Sequence, residues 1–404
     1  KLKFCAGLRV EKVAADSSED LQYVGLEHVE PQSGRLVSDY EPIFDFSGDT
    51  VRYHKDDVLF GKLRPYLAKA YKADEVGKCS SEFFVMSPAS VSSDFLAFLV
   101  LSKGFVDAVN GSTFGVKMPR AEWEFVGNMK IPLPSLHRQK IIASFLANRC
   151  GQIDSVIAAK EKTNEALKAY RQSVIYEAVT KGLDPAAPLK DTNIPWIGKI
   201  PESWSLWRLK HLAKIPLQYG ANESGEEFDE FLPRYIRITD INSDNVLKSD
   251  DKLVLSEQKA EPYLLHHGDV LFARSGATAG KSFYYRKDMG RACFAGYMIR
   301  LSVNEKLVSS KLIYYFTLGS AYLAWVSQAF IQATIQNISA EKYNSLAIPL
   351  PDSLELQHKI VSYLDDKCGQ IDAVLAANEA IVKKLREYRQ SLIYEAVTGK
   401  IACD

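Results

Sequence analysis

Cys150 to Thr180 reads CGQIDSVIAAKEKTNEALKAYRQSVIYEAVT, and Cys368 to Thr398 reads CGQIDAVLAANEAIVKKLREYRQSLIYEAVT. Aligned without gaps, Gln139–Thr180 and Gln357–Thr398 are identical at 24 of 42 positions. Neither Pro nor Gly occurs from Gln152 to Lys181, and Ala, Glu, Lys, Leu and Gln dominate, which favours helix. Gly182 supplies a C-terminal stop, with Pro185 beyond it. About 30 residues at 1.5 Å each give a rod of roughly 45 Å. Gly151 marks an expected break or kink. A chain that writes one long helix twice, each time after a different globular segment, is a two-fold object built in one piece.

Residues 1–136 read as a mixed α/β domain of short apolar runs, with one amphipathic helix expected at Ser93–Val109. It closes on Ile131-Pro132-Leu133-Pro134. Residues 137–182 are the first helical copy, and 183–204 a proline-rich linker. Residues 205–354 form a second α/β domain that repeats the first in outline. GDVLFAR (268–274) answers DDVLFGK (56–62), and Ile348-Pro349-Leu350-Pro351 answers the earlier run. Residues 355–404 hold the second helical copy.

A seam at alternating four- and three-residue spacing runs through Ile153, Ile157, Lys160, Asn164, Leu167, Arg171, Val174 and Ala178. Its counterpart is Ile371, Leu375, Asn378, Val382, Leu385, Arg389, Leu392 and Ala396. Polar interruptions suit a paired seam that fixes register better than a plain core helix. Antiparallel pairing is expected, because each globular domain precedes its helix and parallel packing would crowd the two. Identity peaks at the helix ends: Tyr170–Thr180 matches Tyr388–Thr398 at 10 of 11 positions. Packing alone asks only for apolar character. The recurrence of Tyr170, Arg171, Gln172 and Glu177 as Tyr388, Arg389, Gln390 and Glu395 therefore predicts two outward docking surfaces for two copies of one partner. The divergence of the globular halves argues against an undrifted duplication.

The 404 residues suffice for two or more domains with sizeable cores, and 47% hydrophobic with 25% charged residues is ordinary for a globular protein. No apolar run of 18 residues predicts a membrane span, and KLKFCAGLRVEK lacks the apolar region of a secretory signal. Six cysteines without a CxxC read as reduced core thiols, with Cys150/Cys368 and Cys79/Cys293 as repeat mates, so a cytoplasmic location is expected. Zero net charge excludes a binder that relies on bulk charge alone, but not one with charge segregated by face.

Catalytic motifs are not found. Asn193-Ile194-Pro195-Trp196 lacks the first proline of an amino-methyltransferase site, and no phosphate-binding GxxxxGK[ST] is present. Glu257-Gln258-Lys259 is an E-x-K of common residues and reads as solvated surface. His266-His267 lacks further ligands at metal spacing, so no metal site is expected.

The positive signal is basic. Asp269–Arg291 carries Arg274, Lys281, Arg286, Lys287 and Arg291, with Ser275 in the small-residue loop RSGATAGKS. The matching stretch of the first domain carries Lys62, Arg64, Lys69 and Lys72. A second patch precedes each proline run: Lys117 and Arg120 in one domain, Gln332, Gln336 and Asn337 in the other. Cations suit phosphates or guanine edges, and amides suit adenine edges. Each residue taken singly also fits an ordinary solvated surface; recurrence at matched places favours nucleic acid.

Two variable domains, each ending in an I-P-L-P run followed by Q-x-x-I-x-x-[FY]-L…Q-I-D…Y-R-Q-S-[VL]-I-Y-E-A-V-T, resemble the specificity (S) subunit of Type I restriction–modification systems. Ile197-Gly198-Lys199-Ile200-Pro201-Glu202-Ser203-Trp204 resembles that family's lead-in to the second domain; its equivalent is not seen ahead of the first. The resemblance implies an α+β fold: two similar α/β target-recognition domains separated by two long antiparallel coiled-coil helices, pseudo-two-fold symmetric. It implies a non-catalytic subunit whose domains each read half of a bipartite site in double-stranded DNA. The helix pair would set the gap and dock two methyltransferase (M) subunits, and restriction (R) subunits would join them. S-adenosylmethionine, ATP and Mg are expected in those partners and no cofactor in this chain. A structural adaptor that binds two proteins is the rival reading.

Overall fold

A computed structural model of the chain describes residues 1–13, 20–37, 39–44, 48–113, 118–242, 245–331 and 337–403. The chain divides into two compact units, Lys1–Lys162 with Asn378–Asp404, and Thr163–Ala377. Each contains one globular domain and part of each long helix, α1 (Leu136–Thr180) and α2 (Leu354–Val397).

In the first unit the alternating apolar runs form a four-stranded antiparallel sheet ordered Ala6–Arg9, Phe83–Pro88, Val58–Gly61, Ala70–Lys72. Val58–Gly61 is buried throughout, as a continuous apolar run demands. Asp57 ahead of it is buried too. Its carboxylate accepts the His54 N–H at 2.8 Å and pairs with Arg9 at 2.7 Å, so it fixes the turn into the strand. A second, smaller sheet ends in a parallel pair of Tyr23–Val24 with Gly77–Ser80.

The single helix expected at Ser93–Val109 is two, Ser93–Leu101 and Lys103–Gly111. Ser102 between them is extended, and its hydroxyl donates to the Leu99 carbonyl at 2.6 Å, an alternative that the apolar periodicity does not reveal. Two residues on, a side chain at Gly104 would run into the Tyr394 ring, so the second helix needs a glycine there. Phe95, Leu96, Leu99, Phe105 and Val109 pack with Val58, Phe60, Phe84 and Met86 of the sheet.

The second unit repeats the plan. Its sheet runs Gln218–Tyr219, Met298–Leu301, Val270–Ala273, Ser282–Tyr284, again antiparallel. Asp269 takes the place of Asp57, accepting the His266 N–H at 2.9 Å. The parallel pair also recurs, Arg234–Ile236 with Ala292–Phe294. Cys79 and Cys293 sit in these matching parallel pairs, fully buried. All six cysteines are buried, and none of them forms a disulfide.

The stretch expected as a linker is largely folded. Leu189–Asp191 pairs with Lys199–Pro201, and Trp204–Arg208 pairs with the proline run Ala347–Pro351. Ile197, Ile200 and Trp204 join the unit's main core. The prolines of 183–204 lie at strand ends and in turns, where no ladder N–H is required.

Gly151 neither breaks nor ends α1, which is continuous from Leu136 to Thr180. Each long helix stops two residues before a glycine with positive φ, Gly182 at +79° and Gly399 at +73°. The repeated glutamine at the head of each helix has a packing role. Buried Gln139 accepts the Ser92 N–H at 2.7 Å and donates to the Pro134 carbonyl at 2.8 Å; Gln357 does the same with Ser309 and Pro351, at 2.9 and 3.0 Å. Each glutamine ties a long helix to the start of a domain helix.

Within each unit the two long helices run antiparallel. In the first, Ile153 and Ile157 of α1 share a core with Val382, Leu392 and Ala396 of α2. In the second, Val174 and Ala178 meet Ile360, Leu364 and Cys368. Lys160 donates to Asn378 at 3.0 Å. These two are repeat mates, one from each copy of the helix. Among the described residues no helix is long and apolar enough to cross a membrane.

Candidate nucleic-acid interface

The two basic patches of each domain lie far apart in sequence and meet in the fold. In the first domain the strand Val58–Gly61 runs out into Lys62, whose N–H donates to the Glu82 carbonyl at 2.7 Å and whose carbonyl accepts the Ala121 N–H at 3.0 Å. Leu63 and Arg120 form a bridge, and Arg64, at a φ of +51°, donates its N–H to the Pro119 carbonyl at 2.8 Å. In the second domain Arg274 takes the place of Lys62. Its N–H donates to the Tyr297 carbonyl at 3.0 Å, its carbonyl accepts the Ile338 N–H at 2.8 Å, and Ser275 bridges Asn337. The same main-chain frame therefore seats the loop after the V-L-F strand against the segment before the proline run, twice.

The side chains on that frame differ. Lys62 lies 5.3 Å over the Phe84 ring and donates to the Ser81 carbonyl at 2.7 Å; burial lowers its pKa, partly offset by Glu82. Arg120 donates to Glu82 at 2.7 Å. Arg274 is bound to no carboxylate among the described residues. Its guanidinium rests 4.8 Å from the ring centre of Tyr219, worth about 0.5–2 kcal/mol. The Tyr219 hydroxyl in turn accepts the Ala340 N–H at 3.0 Å, which holds the ring in place. Three atoms of this frame, Glu82 Oε2, Arg274 Nε and Asn337 Oδ1, are buried without a hydrogen-bond partner among the described residues. Each such atom costs about 1–3 kcal/mol.

The other candidate cations are more committed. Lys69 donates to the Leu26 carbonyl at 2.6 Å and Lys72 pairs with Asp94 at 2.6 Å. Arg286 pairs with Asp288 at 3.0 Å and Arg291 with Glu257. Lys287 is exposed and Lys281 half-buried. Lys117, Gln332 and Gln336 lie outside the described residues. Glu257 and Lys259 of the E-x-K are taken up by ion pairs, Lys259 with Glu223 and Glu226 at 3.4 Å each. Among the described residues no group of three His, Cys, Asp or Glu side chains could hold a metal ion.

The eight docking candidates divide. Tyr170 and Tyr388 are matched in exposure, 54% and 57%, and Glu177 is also exposed. Glu395 is half-buried and accepts the Ser391 hydroxyl at 3.0 Å; Gln172 and Gln390 are half-buried. Arg171 and Arg389 face the other helix instead of outward. Arg171 pairs with Asp372, and Arg389 lies 3.0 Å from Asp154, donates to the Gln32 and Ser33 carbonyls and is 5% exposed. Long cationic stems at a seam end reach across it where a carboxylate waits, so their repetition reflects packing.

Sequence reading missed Glu82, Tyr219 and Tyr297. Glu82 and Tyr297 occupy one and the same place, opposite the loop residue of each domain. A one-residue offset between GKCSSEFFV and RACFAGYMI hid the match.

A family model described as Type I restriction modification DNA specificity domain matches residues 44–169 and 201–381. The Type I restriction enzyme EcoBI specificity subunit of Escherichia coli is 25% identical over 308 residues, covering 74% of this chain and 64% of that one. The StySPI specificity subunit of Salmonella potsdam is 24% identical over 322 residues, covering 77% and 66%. The match thus spans just under two thirds of each relative's length. A chain solved in work on complex assembly and conformational transition of the type I R-M system superposes with a TM-score of 0.75 at 20% identity, covering 99% of this chain and 97% of that one. At that identity the likeness is one of fold.

Proposed function

This chain belongs to the family of Type I restriction modification DNA specificity domains, and from that premise we propose that it is a non-catalytic DNA reader and scaffold. Each globular domain reads one half of a bipartite site in double-stranded DNA. The paired helices set the distance between the halves, and their repeated outer surface, centred on Tyr170 and Tyr388, docks two methyltransferase subunits. Restriction subunits join that assembly. S-adenosylmethionine, ATP and Mg serve the partner subunits, and the whole works in the cytoplasm.

The observation that supports this most is the recurrence of one main-chain frame under two different sets of polar side chains. Structural adaptors have no need of a repeated frame that gathers Lys62 and Arg120 in one domain and Arg274 and Asn337 in the other. Those side chains offer the donors that base edges and phosphates accept.

The test is a gel shift of the full chain on random duplex across a salt series, alone and co-expressed with the methyltransferase subunits of its host. Binding that weakens steeply as salt rises supports the reader, because phosphate contacts release counterions. No binding in either form favours an adaptor for proteins.

A further inference from the structure

In each domain three side chains from three separate segments meet on the frame described above. They are Lys62, Glu82 and Arg120 in the first domain, and Arg274, Tyr297 and Asn337 in the second. The main-chain bonds that assemble them recur: Lys62 to Glu82 and Ala121, Arg274 to Tyr297 and Ile338, with a bridge at Arg120 and at Asn337. What lies beneath is also kept. Asp57 and Asp269 fix the same turn, and the two V-L-F strands are buried alike. Yet all three side chains differ between the domains. A site held by main-chain bonds alone lets its side chains change without unseating the loop.

We propose that these three positions are the base-reading head of each domain, and that their side chains, rather than the surrounding cations, decide which base pairs each half-site contains. This rests on the DNA-reading function proposed above. The chemistry of the sets differs in kind. Arg274, with its terminal nitrogens unclaimed by any carboxylate among the described residues, matches the O6 and N7 acceptors of guanine. Asn337 both donates and accepts, as the adenine edge requires, and Tyr297, 64% exposed, offers an aromatic face. In the first domain Glu82 adds a pure acceptor suited to the cytosine amino group, and its bond to Arg120 aims that guanidinium. Three of the six side chains carry a buried atom that lacks a partner among the described residues. Two of these atoms, Arg274 Nε and Asn337 Oδ1, share the second head and one, Glu82 Oε2, lies in the first, which fits sites whose partner arrives from outside. The neighbouring cations Lys72, Arg286 and Arg291 are held by carboxylates of their own and are poorly placed to discriminate bases.

The experiment grafts one head onto the other. The full chain carrying Arg274→Lys, Tyr297→Glu and Asn337→Arg is run against wild type in selection from a pool of random duplexes, followed by sequencing. The expected result is a change of enriched bases in one half-site, with the other half-site and the spacing unchanged. Recovery of both half-sites unaltered overturns the proposal. So does a uniform loss of affinity over all sequences with a shallower salt dependence, which marks a phosphate contact. Should the graft lose its cooperative melt, Asn337→Ala is scored in the same way. It is expected to make one base pair of one half-site degenerate, with discrimination there falling about 5- to 150-fold. If wild type itself enriches no sequence, the DNA-reading function fails; if wild type enriches a site and the variants keep it, only the reading head fails.

Discussion

Arg171 and Asp372 form a two-pronged ion pair, with Nε donating to Oδ1 at 2.9 Å and Nη2 to Oδ2 at 3.2 Å. Their repeat mates, Arg389 and Asp154, meet at 3.0 Å, so one link between the long helices is written twice. The copies are unequal. Asp372 is half-exposed, whereas Arg389 is sunk against the Gln32 and Ser33 carbonyls, and Asp154 is also held by Arg35.

The inequality sets an order of stabilities. Arg171→Ala is expected to cost about 0.5–1 kcal/mol, as for an exposed pair. Arg389→Ala strands two carbonyls and weakens the hold on Asp154, for a cost of about 2–3 kcal/mol. Denaturant titration of the two variants checks the order; equal midpoints contradict it.

The glutamine that opens each repeat should behave as a clip. Gln139→Leu keeps the volume but leaves the Ser92 N–H and the Pro134 carbonyl unsatisfied, a cost of about 1–3 kcal/mol. Hydrogen exchange at the Ser92 amide should accelerate. Unchanged protection there means that the glutamine does not anchor the domain helix to α1.

Much of this was legible from residue pattern, and the exceptions have physical reasons. The seam from Ile153 to Ala178 was readable because burial along a paired helix imposes its own spacing, and even the Lys160–Asn378 contact lies on it. Arg171 fits two readings, on the seam and in the docking surface; its pairing with Asp372 agrees with the seam, and identity between copies could not choose because it is the same for an inward or an outward cation. Ser102 was missed because apolar periodicity runs straight through it. Prolines made 183–204 look like a linker, although Ile197, Ile200 and Trp204 supply core. In the candidate interface the two patches were found, but not their pairing. Arg120 and Glu82 are 38 residues apart, and a one-residue offset concealed that Glu82 and Tyr297 share a position.

Arginines that look alike in sequence should differ in DNA binding. Arg274→Ala removes a guanidinium free to engage the duplex and should lower affinity about 5- to 150-fold. Arg286→Ala and Arg291→Ala, whose side chains are occupied by Asp288 and Glu257, should have far smaller effects. Fluorescence anisotropy on a cognate duplex separates these outcomes; equal losses for all three refute the distinction.

The buried thiols give a pH dependence with a definite sign. Burial pushes the Cys293 thiol up to about 12 from its ordinary 9.0, and Cys79, Cys150 and Cys368 also move up. Above pH 9 the unfolded chain loses these protons while the folded chain keeps them. Stability should therefore fall as pH rises from 9 toward 12, by about 1 kcal/mol per pH unit for the Cys293 thiol. Alkaline denaturation curves for wild type and Cys293→Ala check this. The variant should show the shallower decline, and identical slopes would contradict it.

If the helix pair is a ruler, its length should be read in base pairs. Inserting one heptad at the same seam level of α1 and α2 adds roughly 10 Å, or about three base pairs of duplex. The spacing between half-sites should grow by that amount. A spacing that stays fixed would show that the helix pair is not a ruler.

The proposed function stands or falls on one chain reading two separate half-sites. Single-molecule methylome sequencing of a host expressing this chain with its methyltransferase partner tests it most directly. The expected result is a split motif, two specific half-sites flanking a stretch of fixed length without base preference. A single continuous motif, or methylation without sequence preference, would contradict it.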